Sequence, residues 1–421
     1  MSQSDQGTLV TKYWNDRSTK TGIPVAVFVL SASIFALGTT EFMIAGLLPV
    51  LAADLDVSVP HAGLLISAFA VGMAVGAPAM VVLTLRLPRK TTLLAALVVF
   101  IAGNLLAALA PAYDVLLVAR VVTALATSAF WAVGAVVTVS LAPENVRARA
   151  LAILVGGLTV ANVVGVPLGT FIGQQLGWRS AFWAVALLAA AALAGVARVV
   201  PDTSHASGPS RLRAELVAFR GSRLWMAFAT IALFQAGVFC AFSYLAPLVT
   251  DVAGLPEASV PLVLAAFGVG GVLGVQLGGR FADAHPWATL YGGLVSTIAV
   301  LTLLAVSSRS QAPTVILVFA LGVAAFTLAA PLTARVFALA GRAPTLASAT
   351  TTSAFNVGNT VGPLLGGIVI AGGYGYAAPP WVGALLATGA LALALSSRRL
   401  DRRANRQPVP DLAPAECTPA P

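Results

Sequence analysis

The chain has 421 residues, of which 58% are hydrophobic and 9% charged, with a mean hydropathy of +0.92. Soluble domains give about a quarter of their residues to charge, so an ordinary soluble enzyme is excluded and lipid is the expected surrounding. The formal charge of +9 comes from 24 Lys and Arg against 15 Asp and Glu. The basic residues sit in short gaps between apolar runs, which fits membrane orientation and argues against nucleic acid as a partner.

Apolar segments occur at 23–51, 60–83, 91–110, 115–140, 149–173, 180–200, 224–249, 260–279, 287–306, 313–338, 346–371 and 379–397. A helix of about 20 residues crosses the hydrocarbon layer with all its backbone hydrogen bonds made internally. The sequence therefore predicts an all-α polytopic membrane protein with twelve spans. A polar stretch at 201–223, containing Arg211, Arg213, Arg220 and Arg223, divides them into bundles at 23–200 and 224–397, flanked by an N-terminal segment at 1–22 and a tail at 398–421. The first apolar run is too long for a secretory signal and leads into further spans, so a retained helix is expected.

Alternate gaps differ in charge. One side receives Lys12, Arg17, Lys20, Arg86, Arg89, Lys90, Arg147, Arg149, Arg198, the linker arginines, Arg280, Arg335, Arg342 and the tail arginines. The other receives Arg179 and Arg309 with Asp54, Asp56, Asp114, Asp251 and Glu257. Both termini are thus expected to be cytoplasmic.

The fifth and eleventh spans share a pattern. ANVVGVPLGT at 161–170 overlays GNTVGPLLGG at 358–367, pairing Asn162 with Asn359, Gly165 with Gly362 and Gly169 with Gly366, each 197 residues apart. Such agreement supports duplication of a six-helix half. Gly165 and Gly169, like Gly358, Gly362 and Gly366, stand four residues apart, where a missing side chain admits a neighbouring helix. Pro167 and Pro363 remove helix hydrogen bonds and are expected to bend their spans. Static packing and a contact that slides during a transport cycle are both consistent with these residues.

Several segments carry a family resemblance: GTTEFMIAGLLPVLAADL at 38–55, LLVARVVTALATSAFWAVGA at 116–135, RARALAILVGGLTVANVVGVPLGT at 147–170 and GWRSAFW at 177–183. Together they resemble the major facilitator superfamily, in particular its twelve-helix drug:proton antiporters, and look most like bacterial chloramphenicol-resistance exporters and related arabinose or purine efflux proteins. The resemblance implies a major facilitator fold, residence in the bacterial cytoplasmic membrane, and a functional monomer. It also implies proton-driven efflux of a small amphipathic drug without a cofactor, with chloramphenicol the best single candidate. Efflux of a nucleobase, sugar or other metabolite is the alternative, and a non-transporting receptor or scaffold another. The second-half loop GGRFADAHP at 278–286 resembles the family's charged cytoplasmic loop, making Arg280 and Asp283 gating candidates. The first-half counterpart, VLTLRLPRK at 82–90, keeps Arg86, Arg89 and Lys90 but has Leu85 where the family pattern places Asp.

Two charges stand inside apolar runs. Glu41 is costly there unless it meets water, protein polarity or an opposite charge, and a carboxyl group is able to shed its charge by taking up a proton. It is the proton-site candidate. Arg120 lies at a depth that allows it to respond to Glu41, although sequence alone does not establish contact, and a permanently paired structural arginine is the alternative. Candidates for the wall of a drug cavity are Phe35, Phe42, Phe69, Asn104, Phe130, Trp131, Asn162, Gln235, Phe239, Tyr244, Asn356 and Asn359, with packing or interhelical bonding the competing roles. No catalytic or metal-binding cluster is expected. His61, His205 and His285 fall in separate loops, Cys240 and Cys417 have no evident reason to meet, and no phosphate-binding glycine motif is present.

Overall fold

A computed structural model describes residues 22–84, 87–202, 221–341 and 344–404. Arg86, His205, Arg211, Arg213, Arg220, Arg342 and Cys417 lie outside the described residues. Among those described, twelve helical segments are long and apolar enough to cross a membrane, at the places the apolar runs predict. The first span consists of α1 (Val25–Phe42) and α2 (Ile44–Asp54), followed by α3 (Val59–Thr84), α4 (Arg89–Ala108) and α5 (Tyr113–Leu141). The fifth span is α6 (Arg147–Val160) and α7 (Val166–Leu176), and the sixth is α8 (Trp178–Val199). The second half comprises α9 (Ser222–Phe242), α10 (Val260–Ala284), α11 (Pro286–Ser307), the tenth span α12 (Gln311–Thr327) with α13 (Ala329–Ala340), α14 (Pro344–Val369) and α15 (Ala378–Ala404). The last helix continues past the expected boundary at residue 397. Its extension carries Asp401, which accepts hydrogen bonds from Arg223 at 3.4 Å and Arg335 at 2.9 Å, so the first tail residues are tied to the ends of the seventh and tenth spans. An even number of crossings puts both ends of the described chain on one face, the terminal face.

Glycine fixes how closely the spans approach. A methyl group on Gly358 or Gly362 would strike the backbone of α9, the latter at 2.6 Å from the Ala236 carbonyl oxygen and 2.8 Å from the Cys240 nitrogen. Gly165 lies close against the Thr39 side chain and Gly169 in ordinary contact with the Met43 side chain, both in the first span. Both ladders therefore pack helices inside one half. The two halves meet elsewhere, along α3 with α14 and along the fifth span with α10. Ser67 Oγ donates to the Thr360 carbonyl at 3.1 Å and Ser353 Oγ to the Ala74 carbonyl at 2.7 Å across this seam.

The prolines of the repeat differ in effect. Ahead of Pro167 the chain opens into a π-helical turn at Ala161–Gly165, a widening that relieves the clash between a proline ring and the preceding turn. Pro363 lies within the uninterrupted α14, where its own carbonyl accepts the Tyr244 hydroxyl at 2.8 Å. The backbone thus opens ahead of one proline and stays α-helical around the other.

On the face opposite the termini the motif at 177–183 has a mechanical role. Gly177 takes φ 85°, a left-handed turn that glycine adopts without strain, and it starts α8 with Trp178 and Arg179 beside Asp54. Asp54 accepts from Trp178 Nε1 at 2.9 Å and Arg179 Nη1 at 2.6 Å, and Arg179 also donates to the Ala110 carbonyl at 3.0 Å. The first, third and sixth spans are joined at this rim.

Two stability tests follow from these contacts. Gly362→Val forces a side chain against α9 and is expected to lower stability by about 1–3 kcal/mol, whereas Gly292→Ala, with open space around it, leaves the thermal midpoint in detergent unchanged or raised. The hydrogen bonds from Trp178 and Arg179 hold the Asp54 carboxyl below its ordinary value of 3.8. The stabilisation they give is complete above that value and disappears as the pH falls through the lowered one. Asp54→Asn should therefore unfold more readily than the unaltered protein at neutral pH, with the difference shrinking in acid.

Candidate functional site: a cavity between the halves

The two halves enclose a cavity of about 410 Å³ lined by residues from both, a size suited to a small organic molecule. Its wall runs from Glu41 and Phe42 in the first span to Val155, Phe337 and Ser348, residues in the terminal-face portions of the fifth, tenth and eleventh spans. Toward the opposite face the halves pack together. Tyr244 is buried there between Gly63 of α3 and Gly366 and Gly367 of the eleventh span, and Gly46 of α2 lies against Leu264 of α10.

Glu41 is 9% exposed and is the sole charged residue among those lining the cavity. Its position follows from an interruption in the first span. The helix breaks at Met43, between α1 and α2, so the carbonyl groups just before the break need other donors. Arg120 of α5 supplies them. It is 1% exposed, and its Nη1 donates to the Thr40 carbonyl at 2.9 Å, Nη2 to the Glu41 carbonyl at 3.3 Å, and Nε to the Leu65 carbonyl at 3.4 Å. The guanidinium lies 4.3 Å from the centre of the Phe69 ring. Arg120 thus touches Glu41 through its backbone, and no ion pair within 4 Å joins the two side chains. Its several donors spread along a plane suit this task in a way that a lysine ammonium does not.

Of the other candidates, Phe42, Trp131, Asn162, Gln235, Phe239, Asn356 and Asn359 line the cavity. The Phe42 and Phe239 rings approach to 5.7 Å across the two halves. Gln235 Nε2 donates to Asn359 Oδ1 at 2.9 Å, connecting the seventh and eleventh spans within the wall. Phe35, Phe69, Asn104, Phe130 and Tyr244 are absent from the lining and pack outside it in this conformation. Asn104 accepts from Thr40 Oγ1 at 2.9 Å and donates to the Phe100 carbonyl, which locks the third span to the first. Phe35 lies against Gly165, Phe69 supports Arg120, and Phe130 is fully buried. The cavity also contains Phe234, Phe242, Phe267 and Phe326, which the sequence does not distinguish from the many aromatic residues that only pack.

The charged-loop candidates remain apart from the cavity. Arg89 and Lys90 begin α4 half-buried, and Arg280 and Asp283 are exposed at the end of α10. None of the four belongs to an ion pair within 4 Å among the described residues. The ionic cluster on this face is Asp401 with Arg223 and Arg335, the last of these packed 4.4 Å from the Trp287 ring.

A twelve-span chain in two halves around a membrane-embedded cavity is the architecture of a solute transporter. Residues 30–353 match the Major Facilitator Superfamily, and the chain belongs to that family. It is a multi-pass membrane transporter and not an enzyme. It is 38% identical over 399 residues to a chloramphenicol resistance protein of Streptomyces lividans, covering 94% of this chain and all of that one. It is likewise 38% identical over 388 residues to the MFS-type transporter YtbD of Bacillus subtilis (strain 168), covering 91% and 98% of the two chains. Among solved structures it resembles a bacterial homolog of the human lysosomal transporter Spinster in an inward-facing, unoccupied conformation, with a TM-score of 0.71 at 18% identity over 91% of this chain and 98% of that one. This likeness concerns the fold.

The backbone attachment of Arg120 has a measurable consequence. Arg120→Gln should reduce stability by roughly 1–3 kcal/mol for each buried carbonyl left without a donor, and most of that loss should persist when Glu41 is already Gln. A double-mutant cycle on unfolding in detergent checks this. Loss of the arginine's effect in the Glu41→Gln background would mean that the carboxylate is its real partner.

Proposed function

We propose that this transporter exports a small amphipathic drug, with chloramphenicol as the lead substrate, in exchange for protons and by alternating access. The observation that carries the reading is Glu41. It is a carboxyl group in the wall of a mostly apolar cavity, with no side-chain ion pair to the buried arginine beside it, and so is placed to exchange a proton with whatever fills the cavity. Substrate choice draws support from the chloramphenicol resistance protein that matches this chain along its whole length.

The terminal face bears Arg89, Lys90, Arg147, Arg149, Arg198, Arg223, Arg280, Arg335 and Arg398, against Arg179 and Arg309 on the other. This imbalance supports a cytoplasmic terminal face, and the reading places the protein in the bacterial cytoplasmic membrane with a monomer as the functional unit. The cavity then extends toward the cytoplasm, where drug is collected. Glu41 takes up a proton while the cavity faces outward, returns inward in its neutral form, and releases the proton as drug enters beside it. Loading with drug favours the outward state, and drug in the cavity and the proton on Glu41 weaken one another's binding without either strictly excluding the other. The glycine ladders keep each half rigid in this cycle, and Arg280 and Asp283 contribute to closure of the terminal face.

Purified protein in proteoliposomes tests the reading. An imposed pH gradient should drive chloramphenicol against its concentration, and Glu41→Gln should abolish uphill movement while retaining exchange of labelled for unlabelled drug. Full gradient-driven transport by Glu41→Gln would remove Glu41 as the proton carrier. Absence of chloramphenicol movement in the unaltered protein, with purines or sugars moved in its place, would overturn the substrate assignment.

A further inference from the structure

A second cavity, of about 660 Å³, lies on the membrane-facing side of the second half, between α10 and α11 with α12 as its floor. Its origin is in the sequence of α11. Ala288, Gly292 and Ser296 recur every fourth residue along its wall, and a methyl group on Gly292 would meet nothing within 4 Å. On α10, by contrast, small residues close a gap: methyl groups on Gly270, Gly274 and Gly278 would each strike the backbone of α12. Leu277 and Phe281 form the other wall and remain 40% and 52% exposed. The space is an open groove.

Its length and chemistry suit one leaflet of a membrane. Along α11 the lining runs from Ala288 to Val300, about 18 Å of helix, against about 15 Å for the hydrocarbon of one leaflet. Nearer the face opposite the termini, α11 carries exposed Leu303 and Val306 outside the lining. A helix of a second copy would cross both leaflets, whereas an acyl chain occupies one. Thr289 Oγ1 donates to the His285 carbonyl at 3.0 Å and Thr327 Oγ1 to the Val323 carbonyl at 2.7 Å, so neither hydroxyl needs a partner from the groove. Charge appears at the terminal-face end. His285, in the turn between α10 and α11, lines the groove there. Arg280 is exposed and outside any ion pair within 4 Å among the described residues. It stands roughly 60° around α10 from Leu277, and Asp283 about 60° further round, away from the groove. Trp287, with Arg335 at 4.4 Å and Arg398 at 5.4 Å from its ring, marks the headgroup level at the same end.

We propose that this groove binds an anionic phospholipid of the terminal-face leaflet, with an acyl chain laid along Ala288, Gly292 and Ser296 and the phosphate group at Arg280 and His285. A zwitterionic lipid fills the groove equally well, but its own cation offsets the attraction of the phosphate to Arg280. The groove shares no lining residue with the cavity between the halves, so the site stands whatever solute the transporter carries.

Photolabelling of the full-length protein in liposomes tests the proposal. Vesicles of phosphatidylcholine and phosphatidylglycerol carry a trace of either lipid bearing a diazirine in one acyl chain, and labelled peptides are read by mass spectrometry. Labelling within 277–300, measured against the exposed face of α8 at Leu187, should be roughly fivefold higher with the phosphatidylglycerol probe, the preference expected of one arginine at the membrane surface. Gly292→Leu fills the groove from one wall and Ala320→Leu from its floor; whichever folds should bring labelling down to the level at Leu187. Arg280→Gln should remove the excess of the anionic probe while leaving the labelling by phosphatidylcholine. Equal labelling by both probes in the unaltered protein, or labelling undiminished in the filled variants, overturns the proposal. So does a dimer that Gly292→Leu dissociates, which would give the groove to a second copy of the chain.

Discussion

Everything at the centre of this protein depends on how a guanidinium is satisfied in a hydrocarbon environment. A buried arginine without acceptors is prohibitively unfavourable, and a broken helix with unpaired carbonyl groups is costly as well. Arg120 and the interruption at Met43 meet each other's need: the break exposes the carbonyls of Thr40 and Glu41, and the arginine fills them. Phe69 covers the guanidinium face and Leu65 accepts a third hydrogen bond, so three spans of the first half are held in one arrangement. The Glu41 side chain is consequently left at the cavity. Attachment through the backbone holds the residue in place and leaves the carboxyl group at the cavity wall, with the arginine charge close by.

Around this centre the two halves use the same packing device for different ends. Glycine ladders bring the fifth span against the first and the eleventh against the seventh, making each half a closely packed unit. The contacts between halves include hydroxyl-to-carbonyl bonds between α3 and α14, Tyr244 among three glycines near the face opposite the termini, Gly268 of α10 against the Asn162 backbone, and Gln174 Nε2 donating to the Glu257 carbonyl. Two halves meeting around a central cavity in this way suit a rocking motion.

Much of the architecture is legible in the sequence because a membrane imposes a length on every span. Twelve apolar runs yield twelve helical spans among the described residues, and polar residues inside such runs draw attention to themselves. That signal finds Glu41, Arg120, Asn162, Gln235, Asn356 and Asn359. It does not say which way a polar side chain faces, and Asn104 illustrates the difference: equally anomalous in sequence, it bonds Thr40 and locks two helices. Aromatic residues are harder still, since helices that are apolar all round carry no stripe to mark a cavity face; Phe234, Phe242, Phe267 and Phe326 become visible only when the halves are assembled. The prolines show a further limit. Pro167 and Pro363 stand one position out of register in the repeat, Pro167 aligning with Leu364 and Pro363 with Val166, and the surrounding backbone widens at one and stays α-helical at the other.

The central claim is that the Glu41 carboxyl exchanges its proton for drug in the cavity. Proton release on binding tests it most directly: chloramphenicol is added to purified protein in weakly buffered detergent solution containing a pH indicator. The account predicts release of protons by the unaltered protein in proportion to drug bound, and none by Glu41→Gln that still binds the drug. Equal release from both proteins would contradict it.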